Sequence, residues 1–321
     1  MKRTFYVIAV TCLLSFSFAL AQTEGPPKRK IRIGVPNVES PNMLPFRIAQ
    51  TKGFFAAEGI AAEIIRIRSD IVVAALISGN LDYGTPITYA IPAAAKGAPL
   101  KAVAGIANGF VSFLVAQSRY RSVGELRGKT LAVGSLRGAS FNHLKKILER
   151  NGLDAQKDVQ VLAMGSTPAR FQTLLSGNID ATFLTMPYNI RAVHQGLVEL
   201  DSTADSRPQT LSWGLAVTDE KLRTQRNEIR TLLRSLLKAM SFVQKNKAET
   251  VRAMTAFNLK ADEAERAYEI MSQVYAFDGR LDTEAIYEVI REAQMDPTPA
   301  LLKQVTDFSL LEEVTKELAL R

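Results

Sequence analysis

Two kinds of hydrophobic pattern alternate along the chain. Short apolar or alternating runs, which are typical of strands, occupy residues 31–35, 62–67, 131–135 and 158–164. Between them lie longer patterns in which apolar residues recur every three or four positions and which end at a glycine, as helices commonly do. Strands that alternate with helices in this way predict mostly parallel sheets with right-handed crossovers, and therefore an α/β fold.

One short sequence occurs twice, as LISGNLD at 76–82 and as LLSGNID at 174–180. Each copy ends a helical pattern, supplies a glycine for the helix C-cap and leads into a short apolar strand. In both halves a proline then opens the next helix, at Pro86 and Pro187. The chain therefore repeats one β-α-β-α-β-α unit, which predicts two similar lobes. The glycine, asparagine and aspartate of each copy are expected to have structural roles.

Ligands of such sheets bind beyond the carboxyl ends of the strands. The loops that follow the predicted strands are therefore the candidate ligand-binding segments of both lobes. In the first lobe these loops are 36–44, 68–70 and 84–88, and in the second they are 134–141, 164–168 and 185–189.

Two further apolar segments, 110–116 and 211–217, lie between the two units. They are interpreted as paired crossing strands that form a hinge, which bends around residues 112–114 and 214–216. The patterns after residue 218 are amphipathic helices, and such helices need a surface to cover, most simply the first lobe. The predicted lobes are residues 30–112 plus 216–321, and residues 113–215.

The first residues have the pattern of a secretory signal peptide. Lys2 and Arg3 precede an apolar run, and the small residues Ala19 and Ala21 predict cleavage before Gln22, which leaves 22–30 as a linker. An uncleaved membrane anchor is the alternative. The only cysteine, Cys12, lies in this segment, so the mature chain has no thiol for a disulfide, a thiolate metal site or a nucleophile. Export without disulfides favours a bacterial periplasm and a core large enough to be stable alone. No second apolar stretch is long enough to cross a membrane, so no stable membrane insertion is expected.

Composition and charge narrow the class of protein further. The chain has 321 residues, 47% of them hydrophobic and 22% charged, which is typical of a globular protein of about two domains. The formal net charge of +8 comes from dispersed basic residues, and the only tight run is KRK at 28–30. A solvated linker is the preferred interpretation of that run over nucleic-acid binding.

Five segments, in order along most of the mature chain, resemble the periplasmic solute-binding proteins of ABC importers, and in particular the nitrate/taurine/alkanesulfonate group, which also contains the thiamine-pyrimidine-synthase-like domain. They are LPFRIAQTKGFFAAEGIAAEI (44–64), ALISGNLDYG (75–84), VGELRGKTLAV (123–133), LLSGNIDATFLTMPYNIRAVHQG (174–196) and DFSLLEEVTKEL (307–318). The resemblance implies a monomeric, two-lobed binding protein of the two-crossing type, type II, which closes on a small solute. Its implied partners are a membrane permease and, through it, a cytoplasmic ATPase. A sensory subunit that hands its ligand state to a receptor would have the same fold.

The loop GSLRGASF at 134–141 is the most informative candidate site. Free N–H groups at a helix start favour negative charge, and an arginine adds a planar fork of donors. We therefore expect Arg137, Gly138, Ala139 and Ser140 to bind the anionic end of a solute. A plain helix cap, with Arg137 in solvent, is the alternative.

The other candidate ligand-binding residues lie in the loops and helix starts that face the same gap. Asn42 is a candidate donor, and Met43 with Leu44 is a candidate apolar wall. Trp213 either stacks on the ligand or fills the hinge. The remaining candidates are polar or aromatic residues at the starts of two helices: Thr85, Thr88, Thr185, Tyr188 and Asn189.

Enzyme activity is not expected. The two histidines, His143 and His194, are predicted to be surface residues, and the cysteine-rich segment of the related pyrimidine synthases is missing from the sequence. No motif for a catalytic triad, paired carboxylates or a metal site appears, so neither a cofactor nor a metal is predicted. The candidate residues suit a sulfonate, a carboxylate or a heterocycle, and a pyrimidine-synthase-like enzyme is the remaining alternative.

Overall fold

The computed structural model describes residues 29–109, 111–136, 139–203, 211 and 213–319. The predicted signal peptide lies outside these residues, as does most of the predicted linker. Arg29 and Lys30 of the basic run begin the first strand instead of belonging to that linker.

Within the described residues, ten strands form two five-stranded sheets of matching order. Numbered along the chain, the first sheet contains β1 (Arg29–Val35), β2 (Ile60–Arg66), β3 (Tyr83–Gly84), β4 (Leu100–Ala107) and β10 (Trp213–Thr218), in the order β2-β1-β3-β10-β4. The second contains β5 (Phe113–Ala116), β6 (Thr130–Val133), β7 (Gln160–Ala163), β8 (Ala181–Leu184) and β9 (Val198–Ser202), in the order β7-β6-β8-β5-β9. In each sheet the first three strands are parallel and the fourth is antiparallel to both its neighbours. The predicted α/β fold with two mostly parallel sheets is confirmed.

Helices flank both sheets and continue to the end of the described chain. Those of the first repeat are α1 (Leu44–Thr51), α2 (Phe54–Ala57), α3 (Val72–Ile77) and α4 (Ile87–Ala95), and those of the second are α5 (Ala139–Arg150), α6 (Thr167–Leu175) and α7 (Tyr188–His194). The C-terminal helices are α8 (Asp219–Thr224), α9 (Arg226–Lys245), α10 (Lys247–Met254), α11 (Ala261–Ser272), α12 (Thr283–Glu292), α13 (Pro299–Val305) and α14 (Ser309–Glu317). Short 3₁₀ turns occupy Pro41–Met43, Ser69–Ile71, Val123–Leu126 and Thr255–Phe257. Helices α9, α12 and α14 bury their apolar faces in the cores that cover the first sheet, as the amphipathic patterns predict.

The repeated heptapeptide performs the same structural task twice. The carboxylate of Asp82 accepts the backbone N–H of Arg32 in β1 at 2.8 Å, and that of Asp180 accepts the backbone N–H of Thr130 in β6 at 3.0 Å. Both bonds join residues 50 positions apart. The aspartate therefore ties the turn after each repeated helix to the central one of the three parallel strands, which supports the structural interpretation of the repeat.

The described strands of the two crossing segments, β5 and β10, lie in different sheets and do not pair with each other, so this part of the prediction is wrong for them. After the crossing, β5 inserts into the second sheet between β8 and β9, and β10 inserts into the first sheet between β3 and β4. Each crossing strand completes the sheet of the lobe that it enters. Strand β10, which returns to the first sheet, lies close to the backbone of β4. A Cβ at Gly214 would lie 2.5 Å from the carbonyl oxygen of Ala104, so this position needs a glycine.

Candidate ligand-binding cleft

Two adjoining cavities lie between the lobes, at the carboxyl ends of the parallel strands. We call the smaller, of about 330 Å³, the uncharged cavity and the larger, of about 810 Å³, the arginine cavity. All six loops predicted to face the ligand contribute residues to them. The two cavities share the following lining residues: Pro36, Ser69, Tyr89, Thr167 and Thr185. They are therefore two parts of one cleft.

The uncharged cavity is lined by proline, aromatic, methionine and neutral polar side chains. Besides the shared residues, its described lining consists of Asn37, Ser40, Pro41, Asn42, Pro86, Thr88, Gly109, Val111, Met186, Leu211, Trp213 and Met271. The Tyr275 hydroxyl donates to the carbonyl oxygen of Pro41 at 2.7 Å and fixes the loop after β1 against the C-terminal helices. No described lining residue carries a charge, so this part of the cleft suits the neutral part of a ligand.

The arginine cavity is lined by hydroxyl groups, glycine backbone and three charged side chains. Besides the shared residues, its described lining consists of Ile67, Arg68, Asp70, Ser112, Gly134, Ser135, Ser140, Gly165, Ser166, Arg170 and Phe183. Arg68 and Asp70 are exposed and form an ion pair with each other. The pKa of the Asp70 carboxyl is lowered by this hydrogen bond, so it stays ionised at neutral pH.

Arg170, on the first turns of α6, is the central charged group of this cavity. The residue is only 5% exposed, and burial lowers the pKa of its guanidinium to about 10, so the group is still a cation at neutral pH. Its Nη2 atom donates to Thr167 Oγ1 at 3.1 Å, and Nε and Nη2 donate to the Phe183 carbonyl oxygen at 3.2 and 3.1 Å. Nη1 donates to the carbonyl oxygen of Gly165.

The described acceptors of Arg170 are all neutral. Among the residues that the structure describes, no carboxylate lies within 4 Å of its guanidinium. A buried cation costs free energy unless an opposite charge compensates it. An anion in the arginine cavity would provide that compensation.

The predicted loop at 134–141 supports the same cavity. Ser140 lines it, and the Ser140 hydroxyl accepts the backbone N–H of Gly134 at 3.1 Å, which closes the strand-to-helix turn. Arg137 and Gly138 lie outside the described residues. Ala139 begins α5. The anion-binding role of Arg137, Gly138, Ala139 and Ser140 stays a prediction.

Five of the predicted site residues line the cleft. Asn42, Thr88 and Trp213 line the uncharged cavity, Ser140 lines the arginine cavity, and Thr185 lines both. Their contact with a ligand stays a prediction.

Five other predicted residues line neither cavity. Met43 and Leu44 are buried in the core and do not form the expected apolar wall of the cleft. The fully buried Thr85 donates its hydroxyl hydrogen to the carbonyl oxygen of Gly34 at 3.1 Å. Tyr188 and Asn189 are corrected in the same way, because they lie on the inner side of α7.

The contacts of these two residues explain their placement. The ring of Tyr188 packs at 5.6 Å from that of Phe171, and Arg191 lies over it. The buried Asn189 donates to a carboxylate oxygen of Glu199 in β9 at 3.0 Å. Both side chains therefore hold α7 to its own lobe.

The two histidines differ from each other. His194 is exposed and lies 3.4 Å from carboxylate oxygens of both Asp262 and Glu263, in agreement with a surface position. His143 is only 3% exposed, so the prediction of a surface position is wrong for it. His143 lies near the start of α5, where few apolar residues precede it in the helix. The sequence pattern therefore does not determine which face of the helix His143 occupies.

Arg170 and Tyr89 were missed by reasoning from sequence. The signal for Arg170 was present, because it shares the inward face of α6 with Phe171 and Leu174. A charged residue at a core-facing position of an amphipathic helix is rare unless a partner compensates it. Tyr89 is 46% exposed and lies at the junction of the two cavities, where a single aromatic residue in a helix gives no distinctive pattern.

Neither a membrane-spanning helix nor a metal-binding cluster occurs in the described part of the chain. None of the described helices has the length and apolar character of a membrane span. Within the same residues, no cluster of three or more histidine, cysteine, aspartate or glutamate side chains is arranged to hold a metal ion.

Comparison with known proteins gives a family and a fold. The family model described as NMT1/THI5 like matches residues 40–250. The "Putative binding protein" of Brucella abortus (strain 2308) is 27% identical over 271 residues, which are 82% of this chain and 80% of that one.

Solved structures with low sequence identity share the architecture. The periplasmic aliphatic sulphonate binding protein of Escherichia coli superposes with a TM-score of 0.68 at 18% identity, over 88% of this chain and 92% of that one. The alkanesulfonate-binding protein of Xanthomonas axonopodis pv. citri, bound to MOPS, gives 0.65 at 17% identity, over 90% and 99%. A desulfurization enzyme gives 0.69 at 13% identity, over 91% and 100%. At these identities the likeness shows the periplasmic-binding-protein fold alone.

Proposed function

The chain belongs to the NMT1/THI5-like family, and from this premise we propose that it is the periplasmic solute-binding component of an ABC importer. It captures a small organic anion between its two lobes and delivers it to a membrane permease, which a cytoplasmic ATPase drives. The signal-peptide pattern of residues 1–21 supports export to the periplasm.

The observation that carries the proposal is the position of Arg170. Its buried guanidinium faces a cavity between the lobes, and its described hydrogen bonds all go to neutral oxygens. Hydroxyl groups of Ser140, Ser166 and Thr167 surround the same cavity and can donate to an anion. Such a set of donors matches the oxygens of a sulfonate or a carboxylate.

The names of the structural neighbours agree with this chemistry. Two of them are binding proteins for aliphatic sulphonate or alkanesulfonate, and one of these holds a sulfonate buffer molecule. The proposal extends an oxyanion ligand of this kind to the present chain.

Binding is favoured over catalysis by the lining of the cleft. The described residues of both cavities include no cysteine, histidine or glutamate, and the one aspartate, Asp70, is paired with Arg68. A nucleophile with an adjacent base is therefore not found among them. The similarity to a desulfurization enzyme makes turnover a specific alternative, and recovery of a chemically changed ligand would establish it.

Native mass spectrometry of the exported chain tests the proposal. Protein purified gently from the periplasm should begin at or near Gln22 and should carry a small anionic solute that is released on denaturation. The Arg170→Gln variant should lose that solute, whereas Arg223→Gln, which changes an exposed arginine of α8, should retain it. Deletion of the gene should abolish uptake of the identified solute. Normal uptake with a lost response to the solute would favour the sensory role instead.

A further inference from the structure

The two parts of the cleft differ in charge, and this difference restricts the ligand. In the arginine cavity, Arg68 and Arg170 against Asp70 give the described lining a formal charge of +1. In the uncharged cavity, no described lining residue is charged. Because Pro36, Tyr89 and Thr185 line both, one ligand can occupy both parts.

We propose that the cleft selects an aromatic monoanion, a sulfonate or carboxylate on a flat ring, with its anionic group at Arg170 and its ring in the uncharged cavity beside Trp213. This inference rests on the proposed function and specifies the solute. It excludes zwitterionic amino-sulfonates and short inorganic oxyanions as the preferred ligands.

The anionic end is assigned by the balance of charge. Asp70 and Arg68 neutralise each other at the edge of the cavity, which leaves Arg170 as the described cation without an opposite charge. One negative group satisfies it. A second negative group on the ligand would find no further uncompensated cation among the described lining residues of either cavity, so the loss of its hydration would not be offset.

The aromatic end is assigned by the side chains of the uncharged cavity. Trp213 is 6% exposed and belongs to the wall, while Tyr89 is 46% exposed at the junction with the arginine cavity. The thioethers of Met186 and Met271 complete this part of the lining. Rings stack on aromatic side chains and contact methionine sulfur favourably. An ammonium group would find no described carboxylate there, so a zwitterion loses hydration without gaining an ion pair.

Trp213 gives a direct readout because it is the only tryptophan in the chain. The full mature protein is titrated with benzenesulfonate, methanesulfonate, taurine and benzenesulfonamide, by calorimetry and by tryptophan fluorescence. Benzenesulfonate should bind at least tenfold more tightly than each of the other three, and it should change the Trp213 emission. Methanesulfonate shares only the anionic group, taurine adds the ammonium, and the sulfonamide keeps the ring but lacks the charge.

Variants separate the two ends. Tyr89→Ala, at an exposed position, should reduce the tenfold preference for benzenesulfonate over methanesulfonate to less than threefold. Arg170→Gln should weaken benzenesulfonate by ten- to a hundredfold and leave the weak sulfonamide binding unchanged. If Arg170→Gln does not fold, Tyr89→Ala and the four-ligand ranking still decide the matter.

The outcomes distinguish this inference from the function on which it rests. Taurine or methanesulfonate binding as tightly as benzenesulfonate would overturn the aromatic assignment and leave solute binding intact. So would a natural solute that mass spectrometry identifies as aliphatic or zwitterionic. Failure of every probe, with no solute on the exported protein, would overturn the proposed function as well.

Discussion

Arg170 donates two hydrogen bonds, from Nε at 3.2 Å and from Nη2 at 3.1 Å, to the carbonyl oxygen of Phe183. This carbonyl lies in β8, near the carboxyl end of the parallel strands. The contact therefore ties the start of α6 to the edge of the sheet and holds the guanidinium in one orientation. The same residue contributes to the structure of the lobe and places a positive charge in the cleft.

The first prediction concerns this double role. Arg170→Met should lower the free energy of unfolding by about 2–4 kcal/mol, because the carbonyl oxygens of Phe183 and Gly165 lose buried donors. Chemical denaturation of the ligand-free protein measures the change. Arg223→Met, at an exposed position of α8, is the control and should stay within about 0.5 kcal/mol. Equal stability of Arg170→Met and the parent would show that the contact with Phe183 does not hold the lobe together.

Much of the fold could be predicted because the chain repeats its local signals. The heptapeptide copies give a glycine stop and an aspartate at matching positions, and the structure places Asp82 and Asp180 in the same contact with their strands. The six loops at the cleft follow from strand direction alone. The repeat did not predict which strands pair with each crossing strand, because β5 and β10 pair with strands that are distant in sequence.

The site was less predictable than the fold. Burial depends on which face of a helix meets the sheet, and one residue of rotation separates a lining position from a core position. Thr85, between β3 and α4, is fully buried, whereas Thr88, the second residue of α4, lines the uncharged cavity. Arg170 could have been found only by treating a charged residue on the apolar face of α6 as an exception that needs a reason.

The second prediction is a loss of stability in mild acid that depends on His143. Burial, with the nearby charge of Lys146, lowers the pKa of His143 in the folded protein to about 4. In the unfolded chain the pKa is near the usual value of about 6.5. Between these values the unfolded state binds a proton that the folded state does not, so stability falls as the pH falls, by up to about 3 kcal/mol.

Denaturation at several pH values tests this. His143→Gln should flatten the dependence of unfolding free energy on pH between about 6.5 and 4. His194→Gln, which changes the exposed histidine, should keep the acid-side loss that His143 causes. A His143→Gln curve parallel to that of the parent would contradict the assignment.

The third prediction concerns a buried ion cluster below the first sheet, at the edge opposite the cleft. Lys221 Nζ lies 2.6 Å from a carboxylate oxygen of Glu228 and 3.4 Å from one of Asp82. The Tyr83 hydroxyl donates to the same oxygen of Glu228 at 3.0 Å. Lys221→Met should cost about 3–5 kcal/mol of stability, because Glu228 stays buried without its main cation.

Two variants make this measurement specific. Lys30→Met is the matched control, because Lys30 forms an exposed ion pair in which its Nζ lies 2.9 Å from a carboxylate oxygen of Glu63. This change should alter stability by less than about 1 kcal/mol. Adding Glu228→Gln to Lys221→Met should recover part of the loss, since the uncompensated charge is then absent. Additive losses in the double variant would argue against coupling between the two side chains.

The last prediction concerns an ion pair between the lobes. Lys146, on α5 of the second lobe, has its Nζ 2.8 Å from a carboxylate oxygen of Glu288 on α12, which packs over the first sheet. The hydrogen bond from Lys146 lowers the pKa of the Glu288 carboxyl, so the pair is fully present above the usual pKa of a glutamate and is lost as the pH falls through the lowered pKa of Glu288. We expect this pair to favour the lobe arrangement of the structure.

A distance measurement between the lobes tests the pair. A chain that starts at Gln22 has no cysteine, so Arg66→Cys and Lys157→Cys can be labelled alone, one on each lobe. Pulsed electron resonance should show that Lys146→Met shifts the ratio of lobe arrangements by about 1.4- to 5-fold, which corresponds to about 0.2–1 kcal/mol for a partly exposed pair. Lys145→Met is the matched control, because Lys145 pairs with Glu149 within α5. If Lys145→Met shifts the distances between the lobes as far as Lys146→Met does, the effect comes from the charge of the helix. If neither variant changes these distances, Lys146 and Glu288 do not couple the lobes.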